Sequence, residues 1–164
     1  MSETYSTQFD IAKKRLTRKL ITQIIDFLLQ NSCDYNVSCE GLCIGAAAPI
    51  TSPDRIFKPS RLSTISNEFL KEVIDYIIQK EGGMIQLCRT DAYGGYPLDV
   101  HILRKSGKPI RIYLSAGWLA MSEVESRVQD IQNLTQNLMR SLTVSGYKCV
   151  KFRVLSHGKT GEVP

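Results

Sequence analysis

The chain has 164 residues, 43% of them apolar and 23% charged, with a formal net charge of +5. That size and composition suit one globular domain whose core needs no disulfide staples. No segment approaches the ~20 consecutive apolar residues of a membrane span, and "MSETYSTQFDIAKKR" lacks the apolar run of a secretory signal.

Residues 8–31 read as a long amphipathic helix, with Phe9, Ala12, Leu16, Leu20, Ile24, Phe27 and Leu28 recurring at steps of three and four. "NSCDYN" supplies the turn residues that end it. A strand is predicted over 35–47, and the three prolines of 49–63 predict an ordered loop. Ser63 or Ser66 caps a second helix over 65–81, which Gly82-Gly83 stops. Three strands follow over 84–90, 97–104 and 109–115. Ser122, Glu123 and Glu125 open a third helix running to Val144, since acids oppose the positive end of a helix dipole. Gly146 closes it, and a last strand over 147–155 puts Val150, Phe152 and Val154 on one face, with Lys151 and Arg153 on the other. The expectation is an α+β domain over 1–156, followed by a flexible tail at 157–164. Its mainly antiparallel sheet of about five strands is covered by three helices, in the order αβ-αβββαβ.

Parity predicts one register in detail. Leu98, Val100 and Ile102 share a strand face, as do Ile110, Ile112 and Leu114. Antiparallel partners point the same way, so their residue numbers must have an even sum here. A three-residue loop at Ser106-Gly107-Lys108 satisfies this, with Gly107 or Lys108 in the left-handed turn position. It sets Ile102 opposite Ile112, His101 opposite Tyr113 and Asp99 opposite Ser115. The face away from the core then carries Asp99, His101, Tyr113 and Ser115, with Arg111 nearby. A carboxylate two residues from a histidine can raise its pKa and orient it as a base. The competing expectation is the polar outer face of a sheet.

The αβββαβ run over 64–155 resembles the core of the restriction-endonuclease-like nucleases. The resemblance implies an acid near the start of the second core strand, where Asp99 stands. It also implies an acid-x-Lys on the third strand, where this chain has Arg111-Ile112-Tyr113. What it implies is therefore a nucleic-acid-binding protein with a degenerate nuclease-like core, because two carboxylates and a lysine are needed to hold metal and activate water.

A second motif is "GLCIG" at 41–45. Its G-x-C-x-G spacing resembles the nucleophile elbow of the cysteine-bearing α/β-hydrolases, the dienelactone hydrolases among them. That resemblance implies a small cysteine-dependent hydrolase or transferase using Cys43. His101 would be its partner, as in papain-like enzymes, with Asp99 beside it. Against this stands the general rule that free cysteines are among the most buried side chains. The five cysteines, Cys33, Cys39, Cys43, Cys88 and Cys149, are odd in number and irregularly spaced. They predict reduced thiols and a cytoplasmic location, with no metal and no cofactor, because duplicated C-x2–4-C pairs are missing.

Charge gives the remaining signal. Lys13, Lys14, Arg15, Arg18 and Lys19 equal the whole net charge of the chain. Lys151 and Arg153 add a second basic surface. The expectation is a non-enzymatic interaction domain that binds an acidic protein surface or nucleic acid through these cations. The segment shows no interleaved aromatics and no common RNA- or DNA-binding motif.

Overall fold

The computed structural model describes residues 2–12, 15–31, 42–47, 55–61, 67–89, 98–104, 107–120, 124–158 and 161–163. In chain order they form β1 (Ser2–Ile11), α1 (Arg18–Asn31), β2 (Leu42–Ala47), β3 (Arg55–Arg61) and α2 (Asn67–Gln79). Then come β4 (Gly82–Arg89), β5 (Leu98–Leu103), β6 (Ile110–Ala120), α3 (Val124–Val144), β7 (Cys149–Gly158) and β8 (Gly161–Val163). The fold is α+β. Among the described residues, three helices cover one antiparallel sheet of eight strands, ordered β3-β2-β4-β5-β6-β1-β7-β8. The expected order αβ-αβββαβ is present, extended by β1, β3 and β8.

The largest departure is at the N-terminus. The helix expected over 8–31 begins at Arg18, and residues 8–11 belong to β1, which runs between β6 and β7. Phe9 and Ile11 alternate with Gln8 and Asp10 at the two-residue period of a strand. Their match to the helical stripe beyond Leu16 is a coincidence of spacing. Thr17 supplies the true start of α1, its Oγ1 accepting the Leu20 amide at 3.2 Å. The helix then buries Leu20, Ile21, Ile24, Ile25 and Leu28.

The loop expected over 49–63 contains β3, an edge strand that includes Pro59. An edge tolerates proline because one side of the strand needs no ladder donors. The β2–β3 register also shifts between Ile44 and Ala46, opposite Ser60 and Phe57, so Pro59 falls where the ladder is irregular. The segment expected as a tail begins inside β7 and carries β8, paired to it from Ser156↔Val163 to Gly158↔Gly161. The proposed caps Ser63, Ser66 and Ser122 lie outside the described residues.

Two helix ends differ in how they stop. At α3 the Tyr147 amide reaches Leu142 O and the Gly146 amide reaches Thr143 O, both at 3.0 Å, with Gly146 at φ 96°. This is the double hydrogen bond of a Schellman cap, and it buries Tyr147 in the core. At α2 the left-handed residue is Glu81 (φ 57°), not a glycine. Gly82 follows at φ 151°, and a Cβ there would lie 2.7 Å from Ile102 O of β5.

One core joins all three helices to a single sheet face. Phe9 and Ile11 of β1, Ile85 of β4, Val100 and Ile102 of β5, and Ile110, Ile112 and Leu114 of β6 are 0% exposed. They pack with Val73 and Ile77 of α2 and with Leu134 and Leu138 of α3. Among the described residues no helix covers the opposite face, which carries Gln8, Asp10, Asp99, His101, Arg111 and Tyr113.

Candidate functional site: a basic end of the sheet

The β5–β6 hairpin has the register that parity requires. His101 pairs with Tyr113, Ile102 with Ile112 and Asp99 with Ser115, and Gly107 takes φ 74° in the turn. The rings of His101 and Tyr113 stack with centroids 4.1 Å apart and planes within 9°. Burial pushes the His101 imidazole down to about 4. That is the reverse of the direction a general base beside Asp99 calls for. The Asp99 carboxylate bears instead on Tyr113, whose phenol is pushed up to about 12, first by burial and then by that charge. This row of the sheet holds a neutral histidine against a neutral tyrosine.

Cys43 is not brought to His101. On β4 the partner of Cys43 is Cys88, whereas the partner of His101 is Met84. Four residues along one strand and two strand spacings across set the backbones on the order of 16 Å apart, beyond the combined reach of the two side chains. The αβββαβ run of the nuclease resemblance is also not one contiguous sheet, because β1 lies between β6 and β7.

The cations fall into a different arrangement from the one the sequence predicts. Lys13 and Lys14 lie outside the described residues. Arg15 precedes α1, so the cluster straddles a connection and a helix start instead of lining one helix face. Arg18 forms an ion pair with Asp75 of α2. Lys19 lines a cavity of ≈ 420 Å³ together with Lys148.

Lys151 and Arg153 do not stand on a regular strand. Gln8 pairs with Arg153 and Asp10 with Val150, so Lys151 and Phe152 together oppose Phe9. This is a β-bulge, and Lys151 occupies its left-handed position at φ 59°. Val150 consequently shares the face of Arg153, against the expectation of a strict alternation. Beside the bulge lies a cavity of ≈ 290 Å³ lined by Asp10, Leu103, Lys108, Pro109, Arg111 and Lys151.

Asp10 organises that cavity. Its side chain is 3% exposed, and Oδ1 accepts a hydrogen bond from Arg111 Nε at 3.0 Å. Arg153 Nη2 stands 3.9 Å from Oδ2. One buried carboxylate thus faces two half-exposed guanidinium groups and two lysines. No local pattern signals this group, because Asp10 and Arg111 are 101 residues apart and the apolar spacing around Asp10 reads as helix.

These features gather at one end of the sheet, where β1 and β5 finish and β6 and β7 begin. A third cavity of ≈ 380 Å³, lined by Arg15, Leu16, Ile78, Glu81 and Arg104, opens there as well. Among the described residues, the acids lining these cavities are ion-paired, Asp10 with Arg111 and Glu81 with Arg104. Among the described residues, no group of three or more metal-ligating side chains is assembled, and no helix is long and apolar enough to cross a membrane. The chain matches no protein-family model, no curated protein and no solved structure.

Proposed function

We propose that this chain is a non-enzymatic interaction domain that binds a polyanionic macromolecule, an acidic protein surface or nucleic acid, at the basic end of its sheet. The observation that carries the reading is convergence. Lys19, Lys108, Arg111, Lys148 and Lys151 come from separate elements to the rims of neighbouring cavities, while the acids there are already paired. A surface that only needed solubility would intersperse both signs of charge. A concave surface of one sign focuses its field on an oppositely charged partner. The site is the strand end, to which Arg15 and Lys19 of the cluster at 13–19 contribute among the described residues.

Fluorescence anisotropy with labelled single-stranded and duplex oligonucleotides, and with a Glu-rich peptide, tests this across a salt series. The parent protein is expected to bind at least one of these with a falling log–log salt slope. Lys19→Gln with Lys148→Gln is expected to weaken that binding and flatten the slope, because fewer counterions are released. Equal binding of parent and variant to every probe would remove the proposal.

A further inference from the structure

We infer that the cavity beside the β7 bulge is a phosphate-binding subsite, in which Lys151, Arg111 and Lys108 grip one phosphate group of a nucleic-acid backbone. This rests on the polyanion reading above and names the chemistry of its ligand. The first argument is charge. Asp10 contributes one negative charge, against positive charges from Lys108, Arg111, Lys151 and the adjacent Arg153. One carboxylate cannot neutralise four cations, so the described groups in and beside the cavity carry a net charge of about +3.

The second argument is geometry. Arg111 uses Nε on Asp10, which fixes the guanidinium plane, and among the described residues its terminal amines are left for a ligand. The Arg111 side chain as a whole is 43% exposed. A planar fork held by a carboxylate is suited to the paired oxygens of a phosphate.

The third argument is the backbone. A left-handed φ is costly for a residue with a Cβ, and glycine is the residue that adopts it freely. At Lys151 the chain carries this cost at the bulge that also bends β7 at the cavity rim. A structural bulge would use glycine. A lysine there trades stability for a cation at the rim, as strained residues at ligand sites do.

The substitution Lys151→Gly separates the two effects. It is expected to raise Tm by about 2–4 °C through relief of strain. It should also weaken binding of inorganic phosphate, followed by amide chemical shifts of the full chain, by about tenfold. The same loss is expected for a phosphodiester oligonucleotide. An oligonucleotide with uncharged methylphosphonate linkages should bind poorly to the parent. Lys108→Gln, at an exposed turn position, is expected to weaken phosphate binding without a change in Tm. Phosphate-ester metabolites that compete while oligonucleotides do not would overturn the assignment to a nucleic-acid backbone. So would tighter binding of the Glu-rich peptide than of any phosphate probe. Unchanged phosphate and oligonucleotide binding in Lys151→Gly would overturn the subsite itself. The Lys19→Gln/Lys148→Gln variant reports on the wider strand-end surface independently, so each idea fails on its own measurement.

Discussion

Thr7 of β1 and Thr135 of α3 hydrogen-bond to each other through their hydroxyls, and both residues are 0% exposed. Thr135 Oγ1 also donates to Ile131 O at 2.8 Å, which uses its only proton. Thr7 must therefore be the donor between them. The pair ties the strand that sequence reading missed to the helix that covers it. Thr135→Val strands a buried donor and is expected to cost about 1–3 kcal/mol. Thr7→Val leaves Thr135 with one bond and should cost less. The double variant should be milder than the sum of the two, and denaturant titration of all four proteins gives the coupling.

His101 makes stability depend on pH. Its pKa is lowered by burial from 6.5 to about 4, so the folded state binds fewer protons than the unfolded state between those values. Stability is full above pH 6.5 and falls as pH drops toward 4, below which this contribution is flat. The loss is on the order of 3 kcal/mol if nothing else relaxes. His101→Phe keeps an aromatic face against Tyr113 and cannot titrate. Thermal melts from pH 7 to pH 4 should show a shallower decline for this variant, and parallel declines would exclude His101 as the source.

Glu81 and Gly82 form a pair of opposite sensitivities. Gly82→Ala is expected to destabilise strongly, because the new methyl meets a backbone oxygen at 2.7 Å and φ 151° already disfavours a side chain. Glu81→Gly, one residue earlier, relieves a left-handed glutamate at the end of α2. That gain is about 0.4–1 kcal/mol. It is reduced by the loss of the exposed ion pair to Arg104, itself worth about 0.2–1 kcal/mol. The two effects nearly cancel, so the variant should melt close to the parent temperature.

The parts of this fold that were legible in the sequence are those where one period runs unbroken. The stripes of α2 and α3 repeat over at least three turns, and the β5–β6 register follows from parity alone. β1 was hidden because its first six residues, "SETYST", carry only one large apolar side chain, while Phe9 and Ala12 happen to extend the phase of α1. β3 was hidden because its proline signals a loop unless the strand is known to be an edge. The candidate site was legible only as loose charges. What makes it a site is a bulge that breaks the alternation at Lys151, and an acid paired across the sheet with Arg111. Both are products of strand pairing, which no local pattern records.

The thiols offer a test of register as well as redox state. Cys43 and Cys88 are directly opposed on β2 and β4, at a Cα separation of about 4.5–5.5 Å that a disulfide can close. Cys149 is free, and burial pushes its thiol up. Titration under denaturing, non-reducing conditions is expected to count five thiols. A count of three with a peptide linking Cys43 to Cys88 would confirm the register and refute the reduced state.

Two adjacent cations should behave oppositely. Arg18 is engaged by Asp75, so its charge joins α1 to α2, whereas Lys19 faces the cavity shared with Lys148. Both side chains of the Arg18–Asp75 pair are about half exposed, at 49% and 48%, and such a pair contributes little. Arg18→Gln should lower stability by about 0.2–1 kcal/mol and leave the salt dependence of polyanion binding close to that of the parent. Lys19→Gln should leave Tm unchanged and reduce the log–log salt slope by about one contact. A binding surface that followed the helix face through 13–19 would make the two substitutions equivalent in binding. A surface set by the end of the sheet makes them distinct. Anisotropy titrations of the two single variants at three salt concentrations decide between those surfaces, and equal slopes would return the site to the helix.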